Sequence, residues 1–264
     1  LQCRPGRVRA NTDALARRAI RSQVELGLLR RTQQLDYVHA ESGILHVFFN
    51  RKELARAQQR ARILHKHGIR IDVCDAARCI DIEPALASST RNLIGGLFAP
   101  NDESGDACAF TRQLAQRCAD AGVVFHYETT ADSLDMHEGR VRGVAVRDAR
   151  GVRGLLCADQ IVCSLGTHTR ALVEQHGPRP ALYPIKGYSI TFPAGDGAPR
   201  VSITDEEHRI VMSRLGDNIR VAGMAELGGH DVTMEPERVG LLTDLARALF
   251  PQAGDFAAAQ PWAG

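Results

Sequence analysis

The spacing of apolar positions changes repeatedly along the chain, and each change predicts an element. Over residues 11–31, Leu15, Ala19, Ile20 and Val24 recur at helical spacing, with Asn11 or Thr12 placed to cap. A second helix is predicted over 53–66: Leu54, Ala57, Ala61 and Leu64 form one stripe, arginines lie opposite, and Gly68 terminates it. Residues 44–49 between them read as a short strand. Asp106 caps a third helix carrying Phe110, Leu114, Cys118 and Ala121 on one face, closed by Gly122. Strands follow at 123–127, 131–136 and 141–147, with a turn at 137–140, and another strand runs through Leu155 and Leu156. Residues 161–163 form a compact apolar run that reads as a buried strand, leading into Ser164, Leu165, Gly166 and Thr167. Beyond Pro184 a strand is predicted at 185–192. Strands 208–214 and 219–223 flank Gly216, Asp217 and Asn218, which is hairpin patterning. A helix at 236–250 has Val239, Leu242, Leu245, Ala246 and Leu249 along one stripe.

The middle of this order is helix, strand, antiparallel meander, buried strand and then a glycine at the strand's carboxyl end. Ligands of open α/β sheets bind beyond the carboxyl ends of strands, and a glycine there lets the backbone approach a flat ligand closely. The later half of a flavin-binding domain is arranged this way. The section after 184 is of a different, mixed kind.

Composition narrows the classes. The 264 residues are 44% hydrophobic and 24% charged, enough for a sizeable core of one large domain or two small ones. Lys plus Arg is 33 against 31 acidic residues, and aromatics are 5%, which argues against a nucleic-acid binder. Only Lys52, Lys66 and Lys186 are lysines; the arginine excess reads as composition bias before it reads as phosphate recognition. No apolar run is long enough to span a bilayer. The first helix carries Arg17, Arg18, Arg21, Arg30 and Arg31, which leaves peripheral contact with anionic lipid open. The seven cysteines, Cys3, Cys74, Cys79, Cys108, Cys118, Cys157 and Cys163, form neither a disulfide framework nor a zinc pattern and fit a reducing compartment. Cys157 and Cys163 read as small core residues.

No G-x-G-x-x-G, Walker loop, H-E-x-x-H or G-x-S-x-G is present. The acidic stretch 101–106 fails calcium-loop spacing and reads as a turn feeding a helix cap. None of the ten histidines stands out as an acid–base group.

Three longer motifs go further. They are Pro100-Asn101-Asp102-Glu103-Ser104-Gly105-Asp106; Tyr183-Pro184-Ile185-Lys186-Gly187-Tyr188-Ser189-Ile190-Thr191; and Ile219-Arg220-Val221-Ala222-Gly223-Met224-Ala225-Glu226. In this order, with the ending Phe250-Pro251-Gln252 through Trp262-Ala263-Gly264, they resemble bacterial dehydrogenases of the FAD-dependent D-amino acid oxidase family. The resemblance covers nearly the whole chain and is weakest before Ser42. Family members begin with a glycine-rich phosphate loop and end with a second glycine-rich flavin stretch, preceded by an arginine that clamps the substrate carboxylate. Neither end is matched, so the resemblance implies the middle of such an enzyme.

The implied fold is α/β plus α+β: a partial FAD-binding domain of glutathione-reductase type over 101–176, with a mixed-sheet substrate domain assembled from 1–100 and 177–264. The implied cofactor is FAD, and the implied reaction is oxidation of a D-amino acid to its imino acid, which hydrolyses to a 2-oxo acid and ammonia. Another amine oxidation, of glycine or sarcosine, and a non-catalytic remnant of the fold are the alternatives. Residue by residue, Ala131 resembles the position whose backbone pairs with adenine, and Leu165 and Gly166 resemble the strand end near the flavin pyrophosphate. Tyr188 is either a lining residue of the substrate chamber or a core aromatic, and Lys186 equally reads as a solvated strand-end charge. The electron acceptor implied is a quinone or the respiratory chain, and the location cytoplasmic, with peripheral contact at the inner membrane face.

Overall fold

A computed structural model describes residues 4–264. In chain order the elements are α1 (Pro5–Gln33), β1 (Ile44–Phe48), α2 (Arg51–His65), β2 (Asp72–Asp75), α3 (Ala76–Ile82), β3 (Gly95–Ala99), α4 (Ala107–Asp120), β4 (Thr129–His137), β5 (Arg140–Asp148), β6 (Arg153–Cys157), α5 (Thr169–Val173), β7 (Lys186–Pro193), β8 (Ser202–Asp205), β9 (Ile210–Leu215), β10 (Asn218–Glu226), α6 (Pro236–Leu249) and β11 (Gln260–Ala263). The N-terminal residues through Cys3 lie outside the described part.

Two compact units divide the chain: one holds residues up to Arg117, Lys186–Glu226 and Val232–Gly264, and the other Cys118–Ile185 and Leu227–Asp231. The first is built on an eight-stranded mixed sheet in the order β11-β7-β10-β9-β8-β1-β3-β2, in which only the β1–β8 pairing is parallel. Alternation in the strands explains its core. Tyr188, Ile190 and Phe192 of β7, Ile219 and Val221 of β10, and Ile210 and Met212 of β9 all point to one face, where α6 buries Leu242, Ala246 and Leu249. On β1, Val47 joins this core while its neighbour Phe48 joins a second cluster with Ala57 and Ala61 of α2. The sheet is therefore apolar on both faces at β1. α2 keeps the expected stripe, and Asn50 caps it by accepting from the Lys52 and Glu53 amides.

The second unit carries the predicted meander β4-β5-β6. Here two expected strands do not form: 123–127 and 161–163 are outside any sheet, with Val124 74% and Val162 85% exposed. A strand needs a neighbour to satisfy its amides and carbonyls, and the described residues offer these two none. The same exposure corrects Cys157 and Cys163, which lie at the surface; among the described residues the buried thiols are Cys74 and Cys79. Burial pushes the Cys79 thiol up to about 12 and raises Cys74 as well, suppressing the reactive thiolate. A thiol reagent added to the native protein is expected to modify Cys108, Cys157 and Cys163 fast, and Cys74 and Cys79 only after unfolding. Peptide mapping that finds either buried thiol labelled in the first phase would contradict this packing.

Candidate functional site

β7 and β10 run antiparallel in regular register from Asn218↔Pro193 to Gly223↔Tyr188, and then Glu226 pairs with Lys186. One extra residue has entered β10, a β-bulge, and Met224 takes a left-handed φ of 65° there. The bulge changes which side chain faces where. Directly opposed residues share a face, so Glu226 joins Lys186 and Tyr188, which continue the core-facing row of Ile190 and Phe192. Without the insertion Ala225 would occupy that position.

The result is a polar cluster at the end of an apolar row. The Tyr188 hydroxyl donates to Glu226 Oε2 at 2.9 Å. The Lys186 ammonium donates to the Thr233 carbonyl at 2.8 Å, lies 3.5 Å from the same Glu226 oxygen and sits 5.4 Å from the Tyr188 ring centre. Lys186 is buried, which corrects the reading of it as a solvated charge. Burial opposes its charge, but the Tyr188 hydroxyl and Glu226 carboxylate outweigh that and hold the ammonium above its ordinary value. The Tyr188 hydrogen bond, working against partial burial, and then Lys186 and Arg238 hold Glu226 below the usual carboxylate range. Tyr188 itself is 2% exposed, so its ring packs as core while its hydroxyl reaches the polar end. Sequence reading missed Glu226, since only the inserted residue brings it to this face.

The other expected residues belong to the second unit. Ala131 lies on β4 opposite Val146, half-buried, just before a register irregularity. Leu165 is 41% exposed, and Gly166 takes φ 54° with open space where a side chain would begin. Gly166 opens the turn into α5, which packs against β4, so all three sit in one small assembly. The donor set is backbone plus exposed apolar surface. That fits the flat rings and close backbone approach of FAD, in which Ala131 would offer its main chain and Leu165 and Gly166 an uncovered edge.

The acidic stretch at 101–106 is structural. Asp106 caps α4 by accepting from the Cys108 and Ala109 amides, as expected. Glu103 pairs at 2.5 Å with Arg30, which also meets Glu41 and the Tyr37 hydroxyl. No group of three metal-ligating side chains occurs among the described residues.

Comparison with known proteins matches residues 2–264 to the DAO family model, described as FAD dependent oxidoreductase. The chain is 42% identical to a D-amino acid dehydrogenase of Paramagnetospirillum magneticum over 99% of its own length and 61% of that protein's. It is 35% identical to one of Vibrio cholerae over 100% and 62%. The chain thus spans about three fifths of these curated relatives. In fold it is similar to glycine oxidase from Bacillus cereus, with TM-score 0.76 at 20% identity over all of this chain and 69% of that one. It is also similar to L-proline dehydrogenase from P. horikoshii, with TM-score 0.78 at 16% identity over 94% and 66%. The mixed sheet, the meander and a match along almost every residue place this chain in the DAO family of FAD dependent oxidoreductases.

Proposed function

We propose that the chain serves FAD-dependent oxidative deamination of D-amino acids. The observation that carries this is the 42% identity to a D-amino acid dehydrogenase over 99% of the chain. Bound FAD supplies the acceptor for the hydride of the substrate α-carbon. In this reading the second unit is the FAD-type domain, with the Ala131 backbone toward adenine and Leu165 and Gly166 toward the pyrophosphate. The first unit is the substrate domain, and the polar end of Tyr188 faces the substrate chamber. The exposed Val162 and Leu165 beside Gly166 support an apolar ligand surface there.

FAD-loaded protein mixed anaerobically with D-alanine is expected to lose its visible flavin absorbance. Bleaching by glycine or sarcosine but by no D-amino acid would move the assignment to another amine oxidation, and protein that takes up no FAD would overturn the reading.

The electron acceptor that goes with this proposal is a quinone or the respiratory chain, and the proposed location is cytoplasmic, with peripheral contact at the inner membrane face as a further proposal. No helix among the described residues is long and apolar enough to cross a membrane. Arg17, Arg18, Arg21 and Arg31 are exposed along α1 and support contact with anionic lipid, whereas Arg30 is spent on Glu103 and Glu41. Flotation with anionic vesicles tests the contact.

A further inference from the structure

Glu226 holds an unspent acceptor. Tyr188 and Lys186 both converge on its Oε2, and Oε1 makes no hydrogen bond or ion pair with the described residues. The side chain is 32% exposed, whereas Lys186 beneath it is 2% exposed. Lys186 is anchored separately by the Thr233 carbonyl. The carboxylate is therefore fixed from behind by two donors and open in front. The Met224 bulge is what turns Glu226 to this face, and strained bulges of this kind re-aim side chains beside functional sites.

Resting on the D-amino acid reading, the geometry points to Glu226 as the residue that receives the substrate's amino nitrogen on Oε1. On binding, the carboxylate pairs with the ammonium group. Its low proton affinity makes it an anchor and a poor base, so the ammonium proton passes to water. Bound FAD would take the α-carbon's hydrogen together with its bonding pair as hydride, and the nitrogen lone pair closes the C=N bond. The iminium nitrogen so formed carries a full positive charge, which the same oxygen offsets.

The test is calorimetric binding to the chain with its flavin reduced beforehand, so that no hydride can be accepted and D-alanine is not consumed. D-lactate and propionate serve as probes without the cationic nitrogen. Wild type is expected to prefer D-alanine to D-lactate by about 10- to 100-fold, the range for a hydrogen bond to a charged group. Glu226→Gln is expected to lose most of that preference while propionate binding changes by less than about threefold. Glu226→Asp, which keeps the charge, should retain part of it.

Undiminished preference in Glu226→Gln overturns the inference. So does a wild type that binds D-lactate as well as D-alanine, a result that needs no variant to fold. If D-alanine still bleaches oxidised flavin in either case, the functional reading stands and only the role of Glu226 falls.

Discussion

Replacing Arg91 with alanine is expected to lower unfolding stability by about 3–5 kcal/mol, the usual cost of stranding one member of a buried ion pair. Asp205 ends β8 with no solvent exposure at all. Arg91 meets it with one arm of its guanidinium, meets Glu207 with the other, and stacks 3.5 Å from the centre of the Phe49 ring. The remaining partners of Asp205 are the Glu207 amide at 3.0 Å, the His208 amide at 3.3 Å and the His208 ring at 2.9 Å. They keep the carboxylate hydrogen-bonded but leave it without its arginine. The neighbouring Thr90 ties the same loop to the end of α6 through its amide and hydroxyl. Urea unfolding followed by circular dichroism measures the loss. Adding Asp205→Asn to Arg91→Ala should recover part of it, because removing both charges is cheaper than removing one. An Arg91→Ala protein as stable as wild type would show that the guanidinium contributes nothing net.

Much of the first unit's framework was legible from period alone. β7, the β9–β10 hairpin and α6 alternate or repeat cleanly because each presents one apolar face to the same core. β3 was not legible. Its Gly95-Gly96 start has little strand propensity, yet a Cβ on Gly96 would come 2.7 Å from the His46 carbonyl and 2.8 Å from the Cys79 sulfur. There, close approach to β1 and α3 dictates the residue. The second unit failed in the opposite way. Residues 123–127 and 161–163 have the composition of strands but no strand neighbour among the described residues, and composition does not report whether a neighbour exists. At the candidate site Tyr188 was legible from its motif, whereas the burial of Lys186 and the role of Glu226 were not. The burial of Lys186 continues the β7 alternation into a charged residue, and the role of Glu226 follows from one inserted residue at Met224, which shifts side-chain parity in a way no alternation pattern shows.

Glu83 makes the second large prediction, because it is a buried acid with no ion-pair partner among the described residues. Three backbone amides hold it. Its Oε2 accepts from Arg200 at 2.7 Å and Val201 at 2.9 Å, and its Oε1 accepts from Ala85 at 3.0 Å. One carboxylate thus joins the turn after α3 to the segment that enters β8, two stretches far apart in sequence. Glu83→Ala would strand three donors at roughly 1–3 kcal/mol for each buried group left unpaired, so a total loss of about 3–5 kcal/mol is expected after partial relaxation. Glu83→Gln preserves the volume and one carbonyl oxygen. That oxygen can serve the Arg200 and Val201 pair, leaving an amide –NH2 against the Ala85 N–H, with an expected loss of about 1–2 kcal/mol. The order wild type, then glutamine, then alanine in urea midpoint is the signature of an acceptor held by its donors. A glutamine variant more stable than wild type would mean instead that burying the charge costs more than its three hydrogen bonds return.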